Sequence, residues 1–233
     1  MSHRPATPPV PIVTIDGPSS SGKGTISRIV ASRVGWNLLD SGALYRLVAL
    51  GGAMRGHDPD DVGEHVTVAQ TMKVQFGAVA SGEEQVLLDG TDVTARIRTE
   101  QAGAGASRVA AWPAVRAALM DRQRSFASPP GLVADGRDMG TVVFPGAPLK
   151  VFLTASAEER ARRRHKQLIE KGSAASLAAL SREIAERDQR DSTRQVAPLK
   201  PASDAVLLDS TGLGVDAVVE RVLQLGRERG LWA

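Results

Sequence analysis

The sequence predicts an α/β protein: a parallel, doubly wound sheet flanked by helices, interrupted by one small antiparallel β insertion. Three observations lead there. Short β-branched apolar runs alternate with stretches of helical periodicity along most of the 233 residues, the pattern of βα units whose strands lie parallel. Between Gly63 and about Thr99 that alternation breaks into short runs joined by hairpin-length turns, a connection that only antiparallel strands allow. No run of about 18 uncharged apolar residues occurs, so the apolar stretches read as core strands and helix faces.

The elements follow in order. Val10 to Ile15 is a strand ending at Asp16-Gly17-Pro18, and a helix begins near Lys23 with apolar Ile26, Ile29, Val30 and Val34 on one face. Trp36 to Leu39 is a second strand, and Ala43 to about Met54 a second helix. Thr71 to Phe76 and Gln85 to Asp89 are strands joined through Gly77 to Glu84, with Ser81-Gly82 as the turn, and Val93 to Ile97 continues the meander. Helices are expected from about Gln101 and, after Trp112-Pro113, over Ala114 to Phe126. Gly131 to Ala134 and Leu149 to Leu153 are strands; the second leads to Ser156 and Glu159, spaced as a capping box, and then to an Arg-rich helix. Ala175 to Arg190 is helical, Ala205 to Leu208 the last strand and Val215 to Arg227 the last helix.

Composition narrows the chemistry. A hydrophobic share of 42% beside 24% charged residues is that of a packed protein, so the chain as a whole folds. It contains no cysteine, which excludes disulfides, thiolate metal sites and thiol catalysis and suits a reducing compartment. Met1 to Pro11 is Pro-rich without an apolar leader core. The expectation is a cytoplasmic protein with residues 1–10 disordered and a single domain over 11–233. The histidines His3, His57, His65 and His165 lack metal-ligand spacing. Basic residues gather at Arg116 to Arg124, Arg160 to Lys166 and Arg182 to Arg194, as an anionic ligand would need. With few aromatics for bases to stack on, small phosphates fit better than nucleic acid, and neither a nucleic-acid nor a membrane partner is expected.

Gly17-Pro18-Ser19-Ser20-Ser21-Gly22-Lys23-Gly24-Thr25 carries the G-x-x-x-x-G-K core of a phosphate-binding P-loop, directly after a strand and before a helix. Such a loop turns backbone N–H groups and a helix N-terminus toward phosphate oxygens, and Lys23 adds a point charge at the β and γ phosphates. The sheet is therefore expected to be of the P-loop NTPase kind, with ATP on residues 17–25. Gly24 stands where the general motif has Ser or Thr. The Mg²⁺ that accompanies ATP is left to Thr25 or to Asp135, at the end of its strand where a Walker-B carboxylate would be.

Four more segments extend the pattern: Leu38-Leu39-Asp40-Ser41-Gly42-Ala43-Leu44-Tyr45-Arg46, Arg96-Ile97-Arg98-Thr99, Asp135 to Pro145, and Glu186 to Arg194. With the GKGT ending of the loop and the antiparallel insertion, the chain from about Pro11 onward resembles the cytidylate kinases, a branch of the P-loop nucleoside monophosphate kinases. That resemblance implies phosphoryl transfer from ATP to CMP and dCMP; separately, a monomer is expected. It implies a monophosphate-binding region over about 41–110 and a helical lid over about 156–194. By it, Arg46, Arg137 and Arg194 would grip the acceptor phosphate, and Lys23, Arg137 and Arg194 would serve the chemistry. Ser107, Arg116 and Asp138 would read the base, Ser41 and Tyr45 line the cleft, Arg187 and Asp191 hold the ribose, and Arg162 and Arg164 close on ATP. The alternatives are a kinase for UMP or AMP, or a nucleotide switch or nucleic-acid-binding module without a monophosphate acceptor.

Overall fold

A computed structural model describes residues 10–78, 84–170, 172 and 176–233. The Ser81-Gly82 turn and the expected disorder of residues 1–9 lie outside them. Five parallel strands form the main sheet: β1 (Ile12–Asp16), β2 (Asn37–Asp40), β6 (Leu132–Gly136), β7 (Leu149–Thr154) and β8 (Val206–Asp209), in the order β2-β6-β1-β7-β8. The register sets Asp16 beside Gly136 and Asp40 beside Asp135. The carboxyl ends of β1, β2 and β6 thus carry Asp16, Asp40 and Asp135 at one rim of the sheet, where ligands of open α/β sheets bind.

Helices cover both faces. On one, α1 (Lys23–Val34) and α8 (Val215–Glu228) bury Ile26, Val30, Val219 and Val222 against Val13, Val133 and Val151. On the other, α2 (Ser41–Met54), α4 (Glu100–Val109) and α5 (Pro113–Arg124) pack a second core around Leu44, Leu47, Val109, Leu119 and Met139. Two further helices, α6 (Ala157–Glu170) and α7 (Leu177–Thr193), pack against each other.

The insertion departs from the sequence reading in two places. Its antiparallel sheet is β3 (Val74–Ala78), β4 (Glu84–Leu88) and the two-residue β5 (Thr91–Asp92). Residues before it form a helix, α3 (Val62–Thr71), capped by the Asp61 carboxylate accepting from Glu64 N at 3.0 Å. Val93 to Ile97 does not continue the meander: Arg96–Arg98 make a 3-10 turn that buries Ile97 and feeds α4. The expected capping box at Ser156 is half made. Ser156 Oγ accepts from Glu159 N at 3.2 Å, but Ser156 N donates to Thr211 Oγ1 at 2.9 Å and the Glu159 carboxylate takes Arg163 Nε instead.

Candidate active site

The phosphate loop is shaped by two glycines. A Cβ on Gly17 would lie 2.0 Å from the carbonyl oxygen of Leu153, so only glycine lets the loop leave β1 alongside β7. Gly22, at φ 92°, is the left-handed N-cap of α1. Lys23, at the first helical position, donates to the Pro18 carbonyl at 3.1 Å and folds back across the loop. Burial and the nearby Arg137 push its ammonium down to about 7.

Beyond the loop, a cleft of about 990 Å³ opens between the strand ends, α2, α4 and α7. Ser19, Ser20, Gly22, Lys23, Gly24 and Thr25 line it at one end; Ser41, Tyr45, Arg46, Ser107, Arg116, Arg137, Asp138, Arg187, Asp191 and Arg194 line the rest. Gly17, Pro18 and Ser21 support the loop from behind and are not on the cleft wall.

The arginines come from α2, from the segment after β6 and from α7. Arg46 on α2 donates to the carbonyls of Ile97 and Thr99 at 2.6 and 3.3 Å, which gives the Arg96 to Thr99 turn its purpose. Arg137 follows β6 and donates through Nε to Asp191 of α7 at 2.9 Å. Arg187 leaves α7 toward Arg46: a Cβ placed on Gly103 would meet both guanidinium groups, at 3.1 and 3.4 Å. Arg194 caps α7 and donates to the Ala197 carbonyl at 2.9 Å. The Nε atoms of Arg187 and Arg194 are buried with no hydrogen-bond partner among the described residues.

Among the described residues, arginines outnumber carboxylates on the cleft wall. Burial, Arg137 and Arg46 push Arg187 down to about 9, and burial also lowers Arg46 and Arg194. Burial alone would raise Asp191, but Arg137, Arg187 and Arg194 outweigh it and hold the carboxyl below its ordinary value. Several guanidinium groups converging on one buried space destabilise each other until a multiply charged anion arrives, and their fork geometry matches phosphate oxygens.

At the inner end, Arg116 of α5 pairs with the Asp138 carboxylate, donates to the Ala110 carbonyl at 3.3 Å and stands 5.6 Å over the ring of Tyr45. Burial raises Asp138, partly offset by Arg116, and pushes the Tyr45 phenol up to about 12. Ser107 Oγ donates to Asp191 at 3.4 Å, so the serine, Asp191 and Arg137 form one chain of contacts along the cleft wall.

The carboxylates at the strand ends divide their tasks. Asp40 caps α2 through Ala43 N at 2.9 Å. Asp135 keeps its oxygens toward the cleft, where one lies 3.1 Å from the Cβ position of Gly24; burial pushes it up to about 7. No cluster of three or more metal-ligating side chains occurs among the described residues. One buried carboxylate facing a phosphate loop suits Mg²⁺, which keeps waters and takes most of its oxygens from phosphates.

Two residues that the sequence reading missed hold α6 to the loop. Buried Arg160 donates to the Ser19 carbonyl at 3.2 Å and pairs with Asp188 of α7 at 2.6 Å, while Ser19 Oγ donates to the same Asp188 at 3.3 Å. Arg163 donates to the Ser21 carbonyl at 3.2 Å and to the Ser210 carbonyl at 2.6 Å. Arg162, expected to close on ATP, is exposed and absent from the cleft wall; Arg164 is on that wall and pairs with Glu100 of α4. Residues 160, 163, 164 and 167 share one helical face, and 162 lies off it.

The family model for cytidylate kinase matches residues 13–228. A cytidylate kinase from Stutzerimonas stutzeri is 58% identical over 226 residues, 96% of this chain and 98% of that one. Another, from Azotobacter vinelandii, is 59% identical over 228 residues, 96% of each chain. Among solved structures, a thymidylate kinase from Candida albicans aligns over 96% of this chain and 93% of its own, at 13% identity and a TM-score of 0.44. A family match that runs from the first strand to the last helix, through the phosphate loop and every arginine of the cleft, makes this chain a member of the cytidylate kinase family.

Proposed function

We propose that this protein transfers the γ-phosphoryl group of ATP to CMP, and to dCMP, giving the diphosphate and ADP. The observation that carries the acceptor's identity is the buried Arg116 and Asp138 pair at the inner end of an arginine-lined cleft. A carboxylate there can accept from the exocyclic amine of cytosine while a guanidinium donates to the ring carbonyl; uracil presents a carbonyl where the carboxylate needs a donor. A site built on such bonds rejects the wrong base because its buried groups are left unpaired.

The roles divide along the cleft. The loop from Gly17 to Thr25 cradles the donor phosphates, and Lys23 neutralises charge on the moving group. Arg46, Arg137 and Arg194 hold the acceptor phosphate, Arg187 and Asp191 the ribose. Ser107 joins Arg116 and Asp138 at the base, and Ser41 and Tyr45 complete the wall. An acceptor phosphate oxygen is already anionic near neutral pH, so it attacks in line without a general base, and catalysis is positioning and electrostatics. Asp135, and Thr25 through its hydroxyl, would hold Mg²⁺, which when bound screens the charge on the β and γ phosphates. On the donor side the face carrying Arg163 and Arg164 takes the place expected of Arg162. The core, the region 41–110 and the lid 156–194 act as parts of one domain, a monomer in the cytoplasm. No helix among the described residues is long and apolar enough to cross a membrane.

A coupled assay with CMP, dCMP, UMP and AMP tests the reading. Turnover of CMP and dCMP well above the others is expected; rates on UMP or AMP equal to that on CMP would overturn it.

A further inference from the structure

Asp16 is the last residue of β1, directly before the phosphate loop, and 5% exposed. Neither the loop nor the cleft uses its carboxylate. Its two oxygens each accept one backbone amide, Met139 N and Gly140 N, both at 2.8 Å. Those amides begin the π turn Met139–Val143 that follows Arg137 and Asp138.

The same residue also meets the other end of that dipeptide, since its backbone is in register with Gly136 at the end of β6. Arg137 and Asp138 are therefore strung between two anchors, Gly136 and Met139 to Gly140, both resting on Asp16. The turn can press this close because residue 140 is glycine: a Cβ there would lie 2.8 Å from Thr14 Oγ1 and 3.2 Å from Lys150 Cδ. From the anchored dipeptide, Arg137 reaches Asp191 and Asp138 reaches Arg116.

We propose that Asp16 is a positioning residue for the acceptor side of the cleft: its carboxylate clamps Met139 N and Gly140 N and so sets the direction of Arg137 and Asp138. The proposal rests on the reading that those two residues face the acceptor. Its content is a division of effect. A residue adjacent to the donor loop acts on the binding of the monophosphate and not on that of ATP.

Asp16→Asn is the informative variant, because it keeps the shape while turning an amide N–H toward one of the two donors, leaving a single bond possible. Two measurements are made. Hydrogen exchange on the free enzyme follows the Met139 and Gly140 amides and needs no substrate; faster exchange there is expected, with α1 unchanged. Steady-state kinetics use whichever monophosphate the wild type turns over best, so failure of CMP in that panel counts against the proposed substrate and not against the clamp. KM for the monophosphate is expected to rise about tenfold or more, with KM for ATP within about twofold of wild type. Unchanged exchange, an unchanged monophosphate KM, or an equal rise in both KM values would overturn the proposal. Asp16→Ala, which removes both bonds, should shift the same two readouts further in the same direction; a thermal melt confirms that each variant is folded.

Discussion

The guanidinium of Arg116 and the carboxylate of Asp138 form an ion pair in which both side chains are almost wholly withdrawn from water, 5% and 3% exposed. Asp138→Ala leaves Arg116 buried without its carboxylate, a loss of about 3 to 5 kcal/mol in stability by the usual cost of a buried charge that has lost its counter-ion. The kinetic result is more specific. kcat/KM for CMP should fall about a hundredfold, as expected for a lost pair of base hydrogen bonds. That for UMP should change little, so the ratio of the two approaches one. Thermal melts and the acceptor panel measure both; a CMP preference that survives in Asp138→Ala would remove this residue from base reading.

Lys23 predicts a proton linked to ATP binding. In the free enzyme its ammonium is held down to about 7, so at pH 8 it is mostly neutral. A triphosphate beside it favours the charged form and restores the proton. Binding of ATP at pH 8 without divalent metal should therefore take up close to one proton, and less at pH 6, where the lysine is already charged. Calorimetry in buffers of different ionisation enthalpy reads the number directly. In Lys23→Met the uptake should vanish and turnover be lost.

Asp135 gives a stability prediction of fixed sign. Its carboxyl is raised from 3.8 to about 7, so the folded state holds the proton more tightly than the unfolded chain. Stability from this group is present at low pH and lost as pH rises from about 4 to about 7. Asp135→Asn should then stabilise the free enzyme at pH 8 by about 1 to 2 kcal/mol. At pH 4 the gain should disappear. Turnover with Mg²⁺ should fall by about two orders of magnitude or more, as when a charge-stabilising group is lost. Melts at the two pH values, paired with assays, test both halves.

Arg163 and its neighbour Arg162 form a matched comparison. Arg163→Met removes donors to the Ser21 and Ser210 carbonyls and should raise KM for ATP several-fold, costing about 1 to 3 kcal/mol in stability. Arg162→Met, on an exposed side chain, should stay within about 0.5 kcal/mol of wild type and leave KM for ATP nearly unchanged. The reverse ranking would return the donor role to Arg162.

Much of this was legible before any coordinates. The strands announce themselves because both faces of a parallel sheet are buried, which makes them continuous apolar runs, and the phosphate loop announces itself because its glycines and lysine stand at fixed spacing. α3 was hidden by Val62, Gly63, Val66, Thr67 and Val68, residues that weaken helix propensity; Asp61 followed three places later by Glu64 was the readable start signal. In the Arg-rich helix, four arginines within five residues leave the phase open, and only the position of the loop relative to α6 picks 160, 163 and 164 over 162. The partnership of Asp16 with Met139 and Gly140 joins residues 123 and 124 positions apart and has no local signature at all.

Asp188 of α7 takes Ser19 of the phosphate loop and Arg160, and Asp191 of the same helix takes Arg137 and Ser107 farther along the cleft. They stand three positions apart, about 4.5 Å of helical rise. One turn of helix thus serves as the gauge between the two halves of the cleft. A single residue inserted between Asp188 and Asp191 would rotate one contact about 100° away from the other, so this stretch tolerates exchange of side chains far better than any change in its length.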